Sequence, residues 1–410
     1  MPETTREKPG LRALPRNVWA VSVTSFFMDT SSEMVLNLLP LFLANVLGIT
    51  TGVIGLIEGV AQATASLLKV FSGWLSDRLQ ARKWLAVAGY ALSAVAKPFF
   101  YIANVWSIAG ARWADRVGKG IRTAPRDALV ADTIAEEQRG LAFGFHRAAD
   151  TGGAVLGLTI ALGVVLSAGQ GAGMLDLSTF QTITLISLVP GVLAALSLAI
   201  GAREVKATSE REPPRFAFRR LGKRFMTFLV IVGIFDLGNS SDAFLTLRAD
   251  SVGMNVVGIL GVLILFNLVY ALVSTPGGSL SDRIGRRRVI IGGWLIYAAI
   301  YLGFALAQTS VHIWLLYAAY GAYYGLAYGT TKALVADLVP DAVRGTAYGS
   351  YNTLIGVLDF PASAIAGVLW EGIGGWGGFG PGAPFLFGAA MALTAALLMA
   401  FVMPDDSSEQ

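Results

Sequence analysis

Gly73-Trp74-Leu75-Ser76-Asp77-Arg78 and Gly278-Ser279-Leu280-Ser281-Asp282-Arg283 stand 205 residues apart in a chain of 410. The same offset relates Ala128-Leu129-Val130-Ala131-Asp132 to Ala333-Leu334-Val335-Ala336-Asp337. It also relates Arg139-Gly140 to Arg344-Gly345, and Phe143-Gly144 to Tyr348-Gly349. One offset that fits several separated blocks is an internal repeat of about half the chain. Around these blocks the sequence is 54% hydrophobic and only 14% charged, with 48 glycines besides. Soluble domains carry about 25% charged residues because their surface must be hydrated. A soluble enzyme and a disordered chain are both excluded, and a polytopic membrane protein remains. Twelve spans of about 20–25 residues would use about 240–300 residues, which leaves short loops and one linker.

Apolar runs lie at 17–44, 52–75, 84–104, 105–125, 140–167 and 177–202, and again at 222–248, 254–279, 288–308, 311–331, 346–371 and 381–403. Hydrocarbon cannot hydrogen-bond an open backbone, so these runs are expected as helices. Lys and Arg gather in alternate connections: Arg78, Arg82 and Lys83; Arg139; Arg203 to Arg224; Arg283 to Arg288; and Arg344. The connections between them are almost bare, with Arg248 the exception. The positive-inside rule then puts both termini in the cytoplasm of a multi-pass cell-membrane protein. The expected layout is all-α, with 12 transmembrane helices in two pseudo-symmetric six-helix halves around a central cavity. The halves are residues 1–202 and 222–410, joined by a cytoplasmic linker at 203–221. The polar start Met1 to Arg16 has no signal-peptide pattern, so the first apolar run is expected to stay in the membrane.

Gly73-x-Leu-Ser-Asp77-Arg78-x-x-x-Arg82-Lys83 and Gly278-x-Leu-Ser-Asp282-Arg283-x-Gly285-Arg286-Arg287 resemble the loop signature of the major facilitator superfamily. They fall in both places where that family carries it, after the second and the eighth span. The resemblance covers essentially the whole chain. Gln80 departs from it, standing where the second copy has Gly285. The resemblance implies alternating access by rocking of the two halves, with Asp77, Arg78, Arg82, Asp282 and Arg283 in a cytoplasmic gate. A carboxylate among guanidiniums can make and lose charge-assisted bonds as the halves move. The alternative for the basic residues is topology alone.

Ionisable groups inside spans are costly, and so mark function. Most lie in the first half. In the fourth span Arg112, Arg116, Lys119, Arg122 and Arg126 fall within an arc of roughly 120° over about 21 Å, with Asp115 on the same face. Such a stripe must face a cavity or other protein. At the repeat offset, Arg112, Arg116, Lys119 and Arg122 are replaced by Tyr317, Gly321, Tyr324 and Ala327, so the second half should supply an aromatic wall. Asp29, Glu33 and Asn37 share a face of the first span, and Glu58, Gln62, Ser66 and Lys69 a face of the second. His146, Arg147 and Asp150 open the fifth span, while Asp236, Asn239, Ser240 and Asp242 mark the seventh.

Asp29 and Glu33 are the first candidates for proton coupling, with Glu58 and Asp150 behind them. The alternative for each is a fixed ion pair with the stripe. Arg112 and Arg116 fit the family's fourth-span arginine about equally well.

No cysteine is present, and the two histidines lie near opposite membrane faces, so neither a metal site nor a cofactor is expected. A net charge of +4 is too small to indicate nucleic acid. The absence of G-x-x-x-x-G-K-[ST] and of a soluble domain speaks against an ATP-driven pump. The expected function is secondary active transport by a monomer. Proton-coupled export of a small organic molecule by antiport comes first. Proton-coupled uptake or exchange of an organic or phosphorylated anion, held by the basic stripe, is the alternative. An intramembrane enzyme would need a nucleophile–base or metal constellation that the sequence does not display.

Overall fold

A computed structural model describes residues 14–134, 139–169, 175–205, 221–339 and 344–403. The first half comprises α1 (Arg16–Leu36), the short α2 (Leu39–Leu41) continued by a π-helical turn (Phe42–Val46), and α3 (Thr51–Leu79). It continues through α4 (Arg82–Ala96), a 3-10 turn (Lys97–Tyr101), α5 (Val105–Ala131), α6 (Arg139–Ser167) and α7 (Leu177–Gly201). The second half comprises α8 (Gly222–Leu237), α9 (Ala243–Ser251), α10 (Val256–Ile284), α11 (Arg286–Leu306), α12 (Ser310–Asp337), α13 (Arg344–Glu371) and α14 (Ala383–Phe401). Taken together, α1 with α2, and α8 with α9, each make one span. The layout is then twelve spans in two halves. Most of the expected linker, 206–220, lies outside the described residues.

Among the described residues, seven helices are long and apolar enough to cross a membrane by length and composition. Those that miss that standard are informative. α5 carries the basic stripe, while α8 and α9 are two pieces of an interrupted span. The sequence led us to expect unbroken runs at 17–44 and 222–248, but the backbone breaks after Leu36 and again between Leu237 and Ala243. The two breaks correspond under the repeat, since Asn37 and Asp242 are 205 residues apart. Outward-facing side chains such as Trp106, Ile200, Leu272 and Phe401 are exposed and apolar, as a hydrocarbon surround requires.

Within the first half α1 packs on α6 and α7, and α5 packs on α3 and α4. α5 and α4 approach closely because Gly118 faces Gly89: a Cβ on Gly118 would lie 2.6 Å from the Gly89 carbonyl oxygen. In the second half α12 packs on α10 and α11, and α11 on α14. The halves meet where α3 lies along α13 and α6 along α10. The α3–α13 seam is tight because Gly55 abuts the Ser363 carbonyl and Gly367 abuts Gly52.

Ties between halves collect on the face opposite the chain termini. Asn45 Nδ2 donates to both carboxylate oxygens of Asp250 at 3.3 and 3.2 Å. The Thr51 backbone N–H and hydroxyl both donate to Glu371 Oε2, at 2.5 and 2.7 Å. Glu371 thereby satisfies the open N-terminus of α3 from across the seam. Asn45 and Asp250 are themselves 205 apart, so the repeat brings equivalent positions into contact on its own axis.

Two sequence expectations change. Arg248 is not a loop charge: it is buried in α9, and its guanidinium donates to the carbonyls of Phe304, Ala305 and Ala307 at the end of α11. Four open carbonyls at a helix end attract a cation there. Gln80 holds the turn after α3 in the left-handed region at φ 51°, as Gly285 does at φ 90°. Losing the glycine therefore did not remove the turn; it only put a side chain into a backbone region that favours glycine.

Candidate substrate site between the halves

The space between the halves forms a cavity with two lobes of about 330 Å³ each. Gln62, Lys119, Ser241 and Asp242 line both. One lobe is walled by Asp29, Glu33, Glu58, Arg112, Arg116, Arg147 and Asp150 from the first half, and by Phe266, Tyr270, Tyr317 and Tyr320 from the second. The other holds Lys69, Asp236, Asn239, Trp294, Tyr297, Tyr323, Tyr324 and Asp359.

The basic stripe of α5 is largely neutralised by its neighbours. Arg112 grips Glu58 with two parallel bonds, Nε to Oε1 at 2.8 Å and Nη2 to Oε2 at 2.5 Å. Both side chains are nearly inaccessible, at 7% and 4% exposure. Asp115 sits between Arg112 at 3.7 Å and Arg116 at 3.0 Å, and Arg116 also reaches Gln62 at 3.4 Å. Arg122 donates to Ser93 and lies over the Tyr90 ring at 4.6 Å, while Arg126 pairs with Asp127. Lys119 differs. Its ammonium is half-buried and makes no hydrogen bond or ion pair among the described residues. It is attracted to Asp29 and repelled by Arg116, Lys69 and Arg122.

Beside Lys119, Asp29 and Asp150 line the same lobe within electrostatic reach of each other. A carboxyl and a carboxylate set side by side can share one proton. Glu33 accepts from Asn37 Nδ2 at 2.6 Å, just where α1 ends. Arg147 is exposed to the cavity and lies 5.8 Å from the centre of the Tyr270 ring.

The second half presents acids and tyrosines. Its broken span places Asp236 and Asn239 at the end of α8 and Asp242 at the start of α9. Interrupted helices at matching positions in two repeats are a structural pointer to a binding site. Tyr320 Oη donates to Asp242 Oδ1 and Tyr297 Oη to Asn239 Oδ1, each at 2.9 Å. Ser66 donates to Asp359 at 3.1 Å across the seam. Asp236 is 5% exposed, and its Oδ2 has no hydrogen-bond partner.

The structure thus brings together Asp29, Glu33, Glu58, Lys69, Arg112, Arg116, Lys119, Arg147, Asp150 and Asp236. It places Asp115, Arg122 and His146 behind the wall: none lines either lobe, and His146 Nε2 instead meets Ser25 Oγ at 2.8 Å. Of the expected gate, the side chains of Asp77, Asp282 and Arg283 lie outside the described residues. Arg78 is exposed over the Trp74 ring, and Arg82 pairs with Asp132 within the first half.

Some residues escaped the sequence reading. Lys97, 1% exposed, donates to Ser32 Oγ at 3.0 Å inside the first half. Glu371 gave no sign of capping a distant helix.

A family model for the Major Facilitator Superfamily matches residues 21–358 and 225–410. The uncharacterized MFS-type transporter MJ1317 of Methanocaldococcus jannaschii is 35% identical over 398 residues, 95% of this chain and 96% of that one. The uncharacterized protein Rv2265 of Mycobacterium tuberculosis is 39% identical over 118 residues, 28% of this chain and 29% of that one. Among solved structures, the nucleoside transporter NupG superposes with a TM-score of 0.77 at 13% identity, covering 95% of this chain and all (100%) of that one. A D-xylose–proton symporter superposes at 0.69 with 16% identity, over 95% and 97% of the two chains. These likenesses carry the fold, while the sequence matches carry the family: the chain belongs to the Major Facilitator Superfamily and is a multi-pass membrane transporter rather than an enzyme.

Proposed function

We propose that the chain is a proton-coupled secondary active transporter of a small organic molecule bearing an anionic group. The observation that carries this reading is Lys119. It is the member of the stripe that makes no hydrogen bond or ion pair among the described residues, and it lines both lobes. Unmatched charge deep in a membrane protein is expensive unless a ligand meets it. The Asp29–Asp150 carboxyl pair supplies the proton site within electrostatic reach of Lys119.

The two groups also suggest a sense of coupling. An incoming anion and an ionised Asp29 compete for the same ammonium. Anion and proton therefore fit the cavity together, which favours coupled uptake or exchange over antiport export. A cavity walled by charges and tyrosine hydroxyls suits a polar cargo better than a lipophilic one.

The halves 1–202 and 222–410 are the rocking units in this reading. The basic connections put the termini in the cytoplasm. The ties Asn45–Asp250 and Thr51–Glu371 then close the outer face, and the cavity is reached from the cytoplasm past Lys69 and Thr331.

The test is ligand-induced thermal stabilisation of the purified protein by matched small carboxylates, phosphates, amines and neutral analogues. Wild type should be stabilised by anions, and Lys119→Met should lose that response while keeping its ligand-free melting temperature. Equal stabilisation of wild type and Lys119→Met would end the proposal.

A further inference from the structure

The first half lines the cavity with both cations and acids, whereas the charged lining residues described in the second half are acids alone, and the proposed function draws only on the charges of the first half. Asp242 ends the unwound stretch between α8 and α9, with its side chain exposed to both lobes. Oδ1 accepts from Tyr320, whereas Oδ2 has no hydrogen bond among the described residues. The charged side chains within electrostatic reach are Glu33 and Glu58, both acidic, and Arg112 already matches Glu58. Asp236 adds a second acid with an unpartnered, buried oxygen in the same cavity. No Lys or Arg of the second half is among the described lining residues. Half-exposed Tyr270 and Tyr324 stand around this wall.

Acids withdrawn from water need a positive partner, and tyrosine faces add to the attraction of a cation. Lys119 and Asp242 line the same two lobes, so one small molecule can touch both.

We propose that the cargo is a zwitterion, with its anionic group at Lys119 and a protonated amine donating to Asp242 beneath Tyr320 and Tyr324. This rests on the reading of the central cavity as the substrate site. It deepens that reading by assigning a second pole to the cargo. The acidic wall also favours zwitterions over simple anions, which gain only the contact with Lys119.

The experiment uses the full chain in detergent and measures affinity calorimetrically for ω-amino carboxylates of two to six carbons and for O-phosphoethanolamine. The controls are their N-acetyl derivatives, which keep only the anion, and the methyl esters of the amino carboxylates, which keep only the cation. At least one zwitterion should bind about 10-fold or more tightly than both of its controls. Asp242→Asn should weaken that zwitterion about 10- to 100-fold, down to the level of its N-acetyl derivative, whose own affinity should not move. Asp242→Glu should recover part of the loss. Should Asp242→Asn not fold, the wild-type ranking of parent against N-acetyl derivative decides the matter alone.

N-acetyl derivatives that bind as well as their parents, with Asp242→Asn indifferent, would overturn the second pole and leave the anion reading standing. Esters that bind as well as the zwitterions would overturn the role of Lys119 and the anion reading with it. Binding by none of these compounds would overturn both.

Discussion

The division of labour along α5 makes a quantitative prediction about Arg112. Its guanidinium holds Glu58 through two bonds, and a third nitrogen lies 3.7 Å from Asp115. Removing one partner of a buried pair leaves an uncompensated charge and costs about 3–5 kcal/mol, whereas replacing both by apolar groups is often neutral. The two single substitutions should differ within that range. Glu58→Gln leaves Arg112 beside Asp115, so its cost belongs at the low end, about 3 kcal/mol. Arg112→Met leaves Glu58 without a bonded cation, so its cost belongs at the high end, about 5 kcal/mol. Glu58→Leu with Arg112→Met should restore most of the stability, and with Glu58→Leu alone measured as well the cycle should close with a coupling of several kcal/mol. Reversible unfolding in mixed micelles gives the free energies, and the ligand response of the double variant gives the functional readout. That variant should still respond to anions, because Lys119 is untouched. Single variants as stable as wild type, or a double variant as unstable as the worse single, would refute the ion-pair account.

Other consequences are simpler to state. Asp250→Asn with Glu371→Gln removes two charges from the ties between the halves, and should weaken closure there by about 2 kcal/mol, a shift of about 30-fold. The chain has no cysteine and Thr246 lines one lobe, so Thr246→Cys can report on the cavity: an impermeant maleimide on the far side should label it faster in the double variant, and an unchanged rate would sink the role of these ties. Asp176 caps α7 by accepting from the Thr179 N–H at 2.8 Å and from the Ser178 hydroxyl at 3.0 Å. Hydrogen bonds with Thr179 hold its carboxyl below the ordinary 3.8. A depressed carboxyl stabilises the fold above its unfolded value and loses that contribution as pH falls through its folded value. Asp176→Ala should therefore cost about 0.5–1 kcal/mol near neutral pH, with the gap to wild type closing in acid; a gap independent of pH would contradict the assignment.

The architecture was readable because it is written twice. The repeat offset and the alternation of basic loops describe two parallel halves without any knowledge of packing. What the sequence hid was pairing. The residues Arg112, Arg116 and Lys119 look alike along the stripe, and only the position of Glu58 on α3 and of Asp115 one turn away distinguishes them. The helix breaks were hidden for another reason. The first run stays apolar on both sides of Asn37, so hydropathy does not register that break; the second break falls in Gly238-Asn239-Ser240-Ser241-Asp242, whose polar residues read as site candidates rather than as the end of a helix. Glu371 was illegible because its partner, the start of α3, is 320 residues away.

The most direct test of proton-coupled carriage is proton movement caused by cargo. Proteoliposomes loaded with a pH-sensitive dye would receive the small anions and zwitterions named above, with no imposed gradient. Wild-type protein should acidify the lumen on addition of a cargo, and Asp29→Asn should abolish the acidification while still exchanging labelled cargo. Cargo uptake by wild type with no change in luminal pH would contradict the account.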